Sequence, residues 1–349
     1  MHSHVLNLGR QMGRNLLQQA MAASLCALLL TLAARADSQA DDLWRQGKEA
    51  ALAHPQQALQ LFNRALEKNP NHALAYCDRG ELWLRMGRKD LAWQDFNQSF
   101  RISPNHKAAT ELGVFCDGRD DGEQAIKYYS EAIRFDPKDT LPYEKRGKAY
   151  QIAGNLAAAI RDFQKALALN STDAEACRLM GACLYGQKSY GQALKVLDQA
   201  IQMEKKLGWK AYCELELRAQ THEELGEYTT AVADFRASLK ERSYDKVELE
   251  LVKALLKLGR NAEAEVELDK MVAHNPKDED VFLKRASVLL LLNQTQKALL
   301  DYKTAAALDD ESFEAQDGMA VCYEKLGQKE LALKARQQSQ RLHKRSLEL

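Results

Sequence analysis

The stretch Leu74–Asn105, LAYCDRGELWLRMGRKDLAWQDFNQSFRISPN, decides the fold because its pattern returns about every 34 residues to the end of the chain. Its first part has a helical period, a glycine interrupts that period, and a second helical period follows until a proline ends it. The residues in question are Tyr76, Arg79, Gly80 and Trp83 in the first helix, Gly87 at the break, Ala92, Phe96 and Ser99 in the second helix, and Pro104 at its end. The stretch therefore predicts two helices joined by a tight turn.

The number of copies follows from a small residue that recurs on the contact face of each second helix, where two helices must cross closely. It is alanine in all nine copies, namely Ala58, Ala92, Ala125, Ala159, Ala193, Ala231, Ala264, Ala298 and Ala332. A bulky residue follows four positions later in eight copies, as Phe62, Phe96, Tyr129, Phe163, Leu197, Phe235, Leu268 and Tyr302, whereas the ninth copy has Arg336. We interpret the bulky residue as filling the space between one helix pair and the next helix.

A further position, on the first helix, excludes side-chain bulk. It holds Gly47, Gly80, Gly113, Gly147 and Gly181 in the first five copies, then Ala219, Val252, Ala286 and Ala320. This pattern of glycine, alanine, aromatic residue and terminal proline resembles the tetratricopeptide repeat (TPR), a helix-turn-helix unit of about 34 residues. The resemblance implies an all-α fold, an α-solenoid in the form of a right-handed superhelix of about nine TPR units. It also implies that the first helices line a concave groove that binds peptides or other protein elements.

The repeats are predicted to fill residues 37–349, with starts near 41, 74, 107, 141, 175, 213, 246, 280 and 314. One interval measures 38 residues, around Lys205–Lys210, and predicts a longer loop between the fifth and sixth repeats. We expect either a bend in the solenoid there or a solvated loop with Trp209 laid over the adjacent helix. The last helix is polar from Arg336 onward, as the end cap of a solenoid must be.

Residues 1–36 have the features of a cleaved signal peptide. They contain no acidic residue, carry Arg10 and Arg14, and include an apolar run over 21–34 that ends in the A-x-A sequence of Ala34–Ala36. A membrane anchor is the first alternative, but a span needs about 20 apolar residues. A mitochondrial presequence is the second alternative. We therefore expect export to the periplasm or the cell exterior, and no membrane span after cleavage.

The charge balance argues against nucleic acid as a partner. Lys plus Arg number 49 and Asp plus Glu number 49, so the formal net charge is zero. Binding to a phosphate backbone requires a concentrated positive surface, which this balance disfavours.

Motifs for catalysis and metal binding are incomplete. His222-Glu223-Glu224 resembles the start of a zinc-protease helix, but Gly226 stands where the second histidine is needed. The acidic residues of 117–121 resemble a calcium loop, but Arg119 occupies a ligand position and the period predicts a turn there. The sequence therefore predicts no catalytic residue, no metal site and no cofactor.

Six cysteines follow residue 36, and either they pair as disulfides or they serve as small apolar residues. Cys116, Cys177, Cys183 and Cys322 fall on first-helix positions that pack against neighbours, which favours free thiols. Cys77 and Cys213 complete the set.

The spacing from the bulk-excluding position predicts which residues face the groove. An apolar patch with two lysines is predicted on the seventh and eighth repeats, comprising Leu249, Lys253, Leu256, Lys257, Leu283, Ser287, Leu290 and Leu291. An acidic patch is predicted beside it on the sixth repeat, comprising Glu216, Gln220, Glu223 and Glu224. Together they suit an amphipathic helix or an extended segment with apolar anchors and basic flanks. The alternative is that the leucines pack between neighbouring first helices.

One TPR subfamily clamps the terminal carboxylate of chaperones with lysines and asparagines on its first three repeats. The corresponding residues here are Trp44, Lys48, Asp78, Lys107 and Glu111. Two of the five match in charge and both asparagines are missing, which disfavours this ligand.

The sequence predicts a non-enzymatic scaffold that binds a protein or peptide partner, in a bacterial envelope. A self-associating structural protein is the alternative, and an enzyme built on the solenoid is the third hypothesis.

Overall fold

A computed structural model describes residues 34–242 and 245–346. Every regular element within these residues is an α-helix, and the helices form nine consecutive pairs. The predicted all-α solenoid of TPR units is therefore confirmed. The chain divides into two compact halves, of which the first ends at Ser171 and the second begins at Thr172. Residues 1–33, which hold most of the predicted signal peptide, lie outside the described residues, whereas residues 34–36 belong to the first helix.

The first half contains four helix pairs. Its helices are α1 (34–50), α2 (Pro55–Lys68), α3 (Ala73–Arg85), α4 (Lys89–Ile102), α5 (His106–Asp117), α6 (Gly122–Phe135), α7 (Leu141–Ile152) and α8 (Leu156–Leu169). Side chains accept hydrogen bonds from the first free backbone N–H groups at several helix starts. Examples are Asn105 Oδ1, which accepts from the Ala108 amide at 2.9 Å, and Asn155 Oδ1, which accepts from the Ala158 amide at 3.2 Å.

The second half contains five helix pairs. Its helices are α9 (Ala174–Gly186), α10 (Tyr190–Leu207), α11 (Tyr212–Glu224), α12 (Tyr228–Glu241), α13 (Asp245–Lys257), α14 (Asn261–His274), α15 (Glu279–Leu291), α16 (Thr295–Leu308), α17 (Phe313–Lys325) and α18 (Lys329–Ser346). In α18 the residues Gln337, Gln338, Gln340, Arg341 and Lys344 are exposed, as expected for the last helix of the solenoid.

The close contact inside each pair joins the bulk-excluding position to the bulky residue of the same repeat. A Cβ atom on Gly80 would lie 3.0 Å from Phe96 Cε1, and one on Gly113 would lie 2.5 Å from Tyr129 Cε1. The alanines of the second helices are buried, as predicted. The bulky side chain of the second helix therefore packs against the first helix of the same repeat, whereas the sequence predicted a contact toward the next repeat. Glycine has no Cβ, so the ring can lie directly on the backbone of that first helix.

The turn inside each pair depends on one left-handed residue. It recurs in eight of the nine pairs, as Gly87, Asp120, Gly154, Lys188, Gly226, Gly259, Asn293 and Gly327, with φ between 59° and 76°. Glycine adopts this conformation without the steric cost that a Cβ imposes, which explains why five of the eight are glycine.

The prediction of a long loop around Lys205–Lys210 is wrong, because most of the extra length is helical. The extra residues lengthen α10 to 18 residues, whereas α8 and α12 on either side have 14. Gly208, with φ of 72°, ends the helix, and Trp209 remains 62% exposed. The extension is helical because Tyr190–Leu207 contains neither glycine after position 191 nor proline to stop it.

Four buried aspartates bind arginines 16 residues earlier, and this occurs in every second repeat. The pairs are Arg79–Asp95, Arg146–Asp162, Arg218–Asp234 and Arg285–Asp301, each with a hydrogen bond of 2.7 Å from Nε. Each arginine also reaches a polar side chain of the preceding second helix through Nη1, namely Asn63, Ser130, Asp198 and Asp269. One guanidinium thus joins three consecutive helices.

Candidate functional site

The twelve predicted groove residues all lie in the second half, on three first helices of consecutive repeats. The acidic patch is on α11, Leu249–Lys257 are on α13, and Leu283–Leu291 are on α15. Their side chains differ in exposure: Lys253, Lys257, Ser287, Leu291 and Glu224 are exposed, and the other seven are half-buried.

The predicted leucines fall into two groups. Leu249 and Leu256 pack against a core cluster that includes Leu251 and Leu255, and Leu283 and Leu290 pack against a cluster around Tyr302. Leu291 is different, because 75% of its surface is exposed.

A charged network joins α11 to α13. Burial and the nearby Glu250 raise the pKa of Glu223 to about 7, although Lys253 opposes this shift. Lys253 Nζ donates to Glu250 Oε1 at 2.9 Å, so one lysine lies among several carboxylates. Tyr190 Oη donates to Glu224 Oε2 at 3.0 Å and fixes the orientation of the outer carboxylate. The acidic patch is therefore coupled to the apolar patch at Lys253, and it holds a carboxyl group that titrates near neutral pH.

A cleft lies beside the acidic patch, where α11, the end of α12 and α13 meet. It measures about 220 Å³ and is lined by Tyr212, Cys213, Glu216, Ser238, Arg242 and Val247. Arg242 Nη1 donates to Tyr212 Oη at 3.2 Å, and the guanidinium lies 5.3 Å from the centre of the Tyr212 ring. Among the lining residues only Glu216 is predictable from the repeat period, because the others come from separate helices and share no spacing.

The first half carries a different arrangement at the positions of the chaperone-tail clamp. Asp78 accepts from Trp44 Nε1 at 2.7 Å and from Lys107 Nζ at 2.8 Å. Burial alone would lower the pKa of Lys107, but its hydrogen bonds to Asp78 and Glu81 raise it above its ordinary value. Lys107 is thus held by two carboxylates of its own chain, and the acidic residue at 78 would repel an incoming carboxylate.

The residues that resembled catalytic or metal motifs have other contacts. His222 Nδ1 lies 2.6 Å from Glu227 Oε2, and Asp117 accepts from Tyr129 Oη at 2.5 Å. Asp120 and Asp121 form the turn between α5 and α6, as predicted, and Asp121 accepts from the Gln124 amide. Throughout residues 34–242 and 245–346, no three His, Cys, Asp or Glu side chains are grouped so that they could hold a metal ion.

The six cysteines are free thiols. Five of them, Cys77, Cys116, Cys177, Cys183 and Cys322, are buried, whereas Cys213 is exposed at the mouth of the cleft. Within the described part of the chain, no helix combines the length and the apolar character that a membrane crossing requires.

The chain is similar to proteins of one family. Residues 38–107, 151–210 and 223–287 match models of the tetratricopeptide repeat. Human tetratricopeptide repeat protein 6 is 33% identical over 112 residues, which are 32% of this chain and 22% of that protein. The Hsp70-Hsp90 organizing protein 1 of Glycine max is 25% identical over 145 residues, which are 41% of this chain and 24% of that protein. The chain therefore spans only about a quarter or less of the length of these relatives.

A crystal structure of a tetratricopeptide repeat protein from Parabacteroides merdae superposes with a TM-score of 0.50. It covers 72% of this chain and 98% of that one at 17% identity, so this likeness shows the fold alone. The three matched stretches, the nine helix pairs and the glycine-to-ring contacts lead to the same conclusion. The chain belongs to the tetratricopeptide repeat family.

Proposed function

We propose that the second half of the chain is a non-catalytic scaffold that binds a segment of another protein along α11, α13 and α15. The observation that carries the proposal is the exposed Leu291, which lies on the same series of first helices as Lys253 and the acidic patch. A partner that covers Leu291 would remove its apolar surface from water, and the charged residues on α11 and α13 would orient that partner.

The chemistry of the three helices favours a segment with apolar anchors and basic flanks. Glu216 and Glu224 supply negative charge on α11, and Tyr190 already orients the Glu224 carboxylate. Glu223 adds its charge as the pH rises through its pKa of about 7. Leu256 and Leu290 are half-buried, so a partner would cover the part of each side chain that remains exposed. Such a segment would add apolar contact on α13 and α15 and would place lysine or arginine near α11.

Two synthetic peptides test this chemistry. One is an amphipathic helix of leucine and lysine, and the other has glutamate in place of lysine. Fluorescence anisotropy of the labelled peptides with the purified chain should show binding of the leucine-lysine peptide, with affinity that falls as salt rises. Equal binding of both peptides would contradict the proposed basic flanks.

The docking surface is tested with Leu291→Glu. Because Leu291 is exposed, this change leaves the fold intact, so a loss of signal reports lost binding. Ile152→Glu is the matched control, since Ile152 is 85% exposed at the equivalent position of the fourth repeat. The first variant should lose binding at an unchanged melting temperature, and the second should retain it. If both variants bind like the unaltered chain, this surface is not the docking site.

We also propose that the protein is exported, with cleavage after Ala36. The acid-free start, the apolar run and the A-x-A sequence support this location. N-terminal sequencing of the protein from its source decides the matter, because a chain that still begins at Met1 would contradict export by this route.

A further inference from the structure

The extension of α10 forms an exposed tip that the proposed function does not use. It comprises the last turn of α10 and the two residues after Gly208, with the sequence Lys205–Lys210, KKLGWK, and every residue in it is exposed. Because α10 has 18 residues and α8 and α12 have 14, the tip adds about 6 Å of helix at 1.5 Å per residue.

The tip has a defined backbone. Gly208, at φ of 72°, donates from its backbone N–H to the carbonyl of Lys205 at 3.2 Å, and the Trp209 amide donates to the carbonyl of Glu204 at 2.9 Å. This is the hydrogen-bonded helix end that a left-handed glycine allows. Lys210 Nζ donates to the Glu241 carbonyl at 2.9 Å, which ties the far side of the tip to α12. Leu207 and Trp209 are thus held on either side of one glycine.

The exposure of the two apolar side chains has no explanation within the fold. Leu207 is 52% exposed and Trp209 is 62% exposed, whereas Trp44, Trp83 and Trp93 are all at least half-buried. Tryptophan gains more than most residues from leaving water. A partner that covers the tip would therefore bury one aliphatic side chain, Leu207, and one aromatic side chain, Trp209.

The charge of the tip selects the partner. Its three lysines surround Leu207 and Trp209 and no acidic residue interrupts them. The nearest acidic residue in sequence, Glu204, is half-buried, and Glu175, Arg178 and Glu241 are among its charged neighbours. The partner must then be anionic on its surface and apolar beneath it.

A lipid bilayer with anionic headgroups matches this description better than a protein does. Tryptophan places its ring at the headgroup level with its N–H toward water, and lysines pair with anionic lipid phosphates. A stable protein interface buries about 800 Å² on each partner, which a projecting tip of six residues does not supply, whereas a bilayer needs only a tip that inserts. We propose that Lys205–Lys210 docks the second half of the chain on an anionic membrane surface.

Vesicle sedimentation with the full chain tests the proposal. The two vesicle types are phosphatidylcholine alone and phosphatidylcholine with about 30% phosphatidylglycerol, as a source of surface charge. Residues 1–36 contain an apolar run, carry Arg10 and Arg14 and have no acidic residue, so they would bind both vesicle types. The tip is therefore measured by the part of the excess on anionic vesicles that substitutions at Lys205 and Lys206 remove. We expect that excess to fall when salt is raised from about 0.1 M to about 0.5 M.

Charge reversal identifies the residues. Each lysine should contribute about fivefold to partitioning on the anionic surface, so Lys205→Glu with Lys206→Glu should lower it by at least about 25-fold. The matched control is Lys127→Glu with Lys165→Glu, two exposed lysines on α6 and α8. The control should partition like the unaltered chain, and an equal loss in both double variants would overturn the proposal by assigning the effect to net charge.

Insertion of the ring has its own signature. Tryptophan emission of the unaltered chain should shift to shorter wavelength on anionic vesicles, and the shift should vanish in Trp209→Phe. Melting temperatures of all variants should stay unchanged, because the tip is exposed. The absence of excess binding to anionic vesicles overturns the proposal, and a crosslinker at position 209 that then captures a protein would reassign the tip to a protein contact.

Discussion

Arg218 in α11 donates two hydrogen bonds to the carboxylate of Asp234 in α12, from Nε at 2.7 Å and from Nη2 at 2.6 Å. Asp234 is buried, and the hydrogen bonds that the guanidinium donates to Asp234 and to Asp198 raise the pKa of Arg218 above its ordinary value. The third arginine nitrogen reaches Asp198 in α10. Three helices therefore meet at one cation, and their register cannot change without breaking the pair.

The same positions are largely apolar in the intervening repeats. The fifth repeat, which precedes Arg218 and Asp234, has Met180 and Val196 there, and the third has Leu112 and Tyr128. The chain thus uses ionic and apolar contacts at equivalent sites in alternation. A buried ion pair adds little to stability, because the cost of desolvating both charges offsets their attraction. Its main effect here is to select one register between the helices that it joins.

Removing Asp234 alone should lower the free energy of unfolding more than replacing both Arg218 and Asp234 with apolar residues. Asp234→Ala should lower the free energy of unfolding by about 3 to 5 kcal/mol, because it leaves the Arg218 guanidinium poorly paired. Arg218→Met with Asp234→Val, copied from Met180 and Val196, should recover most of that loss. Chemical denaturation measures both. Glu131→Ala is the control, because its pair with Arg134 is exposed and should be worth about 0.5 kcal/mol or less. A double variant no more stable than Asp234→Ala would contradict this account.

Alanine at Gly113 should destabilise the first half although alanine favours helices. Its Cβ would lie 2.5 Å from Tyr129 Cε1, and the Tyr129 hydroxyl is anchored on Asp117, so the ring cannot move aside. We expect a loss of roughly 1 to 3 kcal/mol. Gly191→Ala, in the first turn of α10, meets open space and should be neutral or slightly stabilising. Similar unfolding curves for the two variants would show that the ring contact does not limit residue 113.

Lys188→Gly should stabilise the protein. Lys188 has φ of 59° in the turn between α9 and α10, where most other repeats have glycine. Relief of the left-handed strain exceeds the entropy that glycine loses on folding, so we expect a gain of about 0.5 to 1 kcal/mol. Lys195→Gly, within α10, should instead cost about 1 kcal/mol. Thermal unfolding that ranks these two variants in the opposite order would refute the role of the turn.

Stability should fall as pH rises from about 4.5 to about 7 through the titration of Glu223. Its pKa is raised to about 7 by burial and by Glu250, so the folded state binds the proton more tightly than the unfolded state does. Glu223→Gln should therefore be more stable than the unaltered chain above pH 7, on the order of 1 to 3 kcal/mol, and equal to it near pH 4.5. Glu250→Gln should move the inflection to lower pH. Unfolding curves that stay parallel across this range would exclude the coupling.

One of the described thiols should react before the others in the native protein. Cys213 is exposed, and partial burial and Glu214 raise its pKa above its ordinary value, whereas burial raises the pKa of Cys183 and of Cys322 to about 11. Alkylation at pH 8 followed by peptide mapping should label Cys213 first, and the buried cysteines only after denaturation, because the thiolate is the reactive form. Rapid labelling of Cys183 in the folded chain would contradict its burial.

The sequence by itself determined the fold. Small residues, bulky residues and turn glycines recur at a fixed spacing, and each recurrence reflects a contact between residues less than one repeat apart, such as Gly80 with Phe96. Local contacts of this kind leave a periodic trace that can be read without coordinates. The Arg–Asp pairs left the same trace, with a constant spacing of 16, and could have been found in the same way.

Only the tertiary structure decided how residues of different repeats meet and how much of each is exposed. Counting along the sequence places Leu256, Leu290 and Leu291 on two neighbouring first helices, but it does not distinguish the half-buried Leu256 and Leu290 from the exposed Leu291. The cleft at Tyr212 and the pKa of Glu223 likewise depend on side chains of neighbouring helices that share no sequence period. The four added residues of α10 were visible as a longer interval, but whether they formed a loop or another helical turn depended on how the helix ends at Gly208, which leaves Trp209 in solvent.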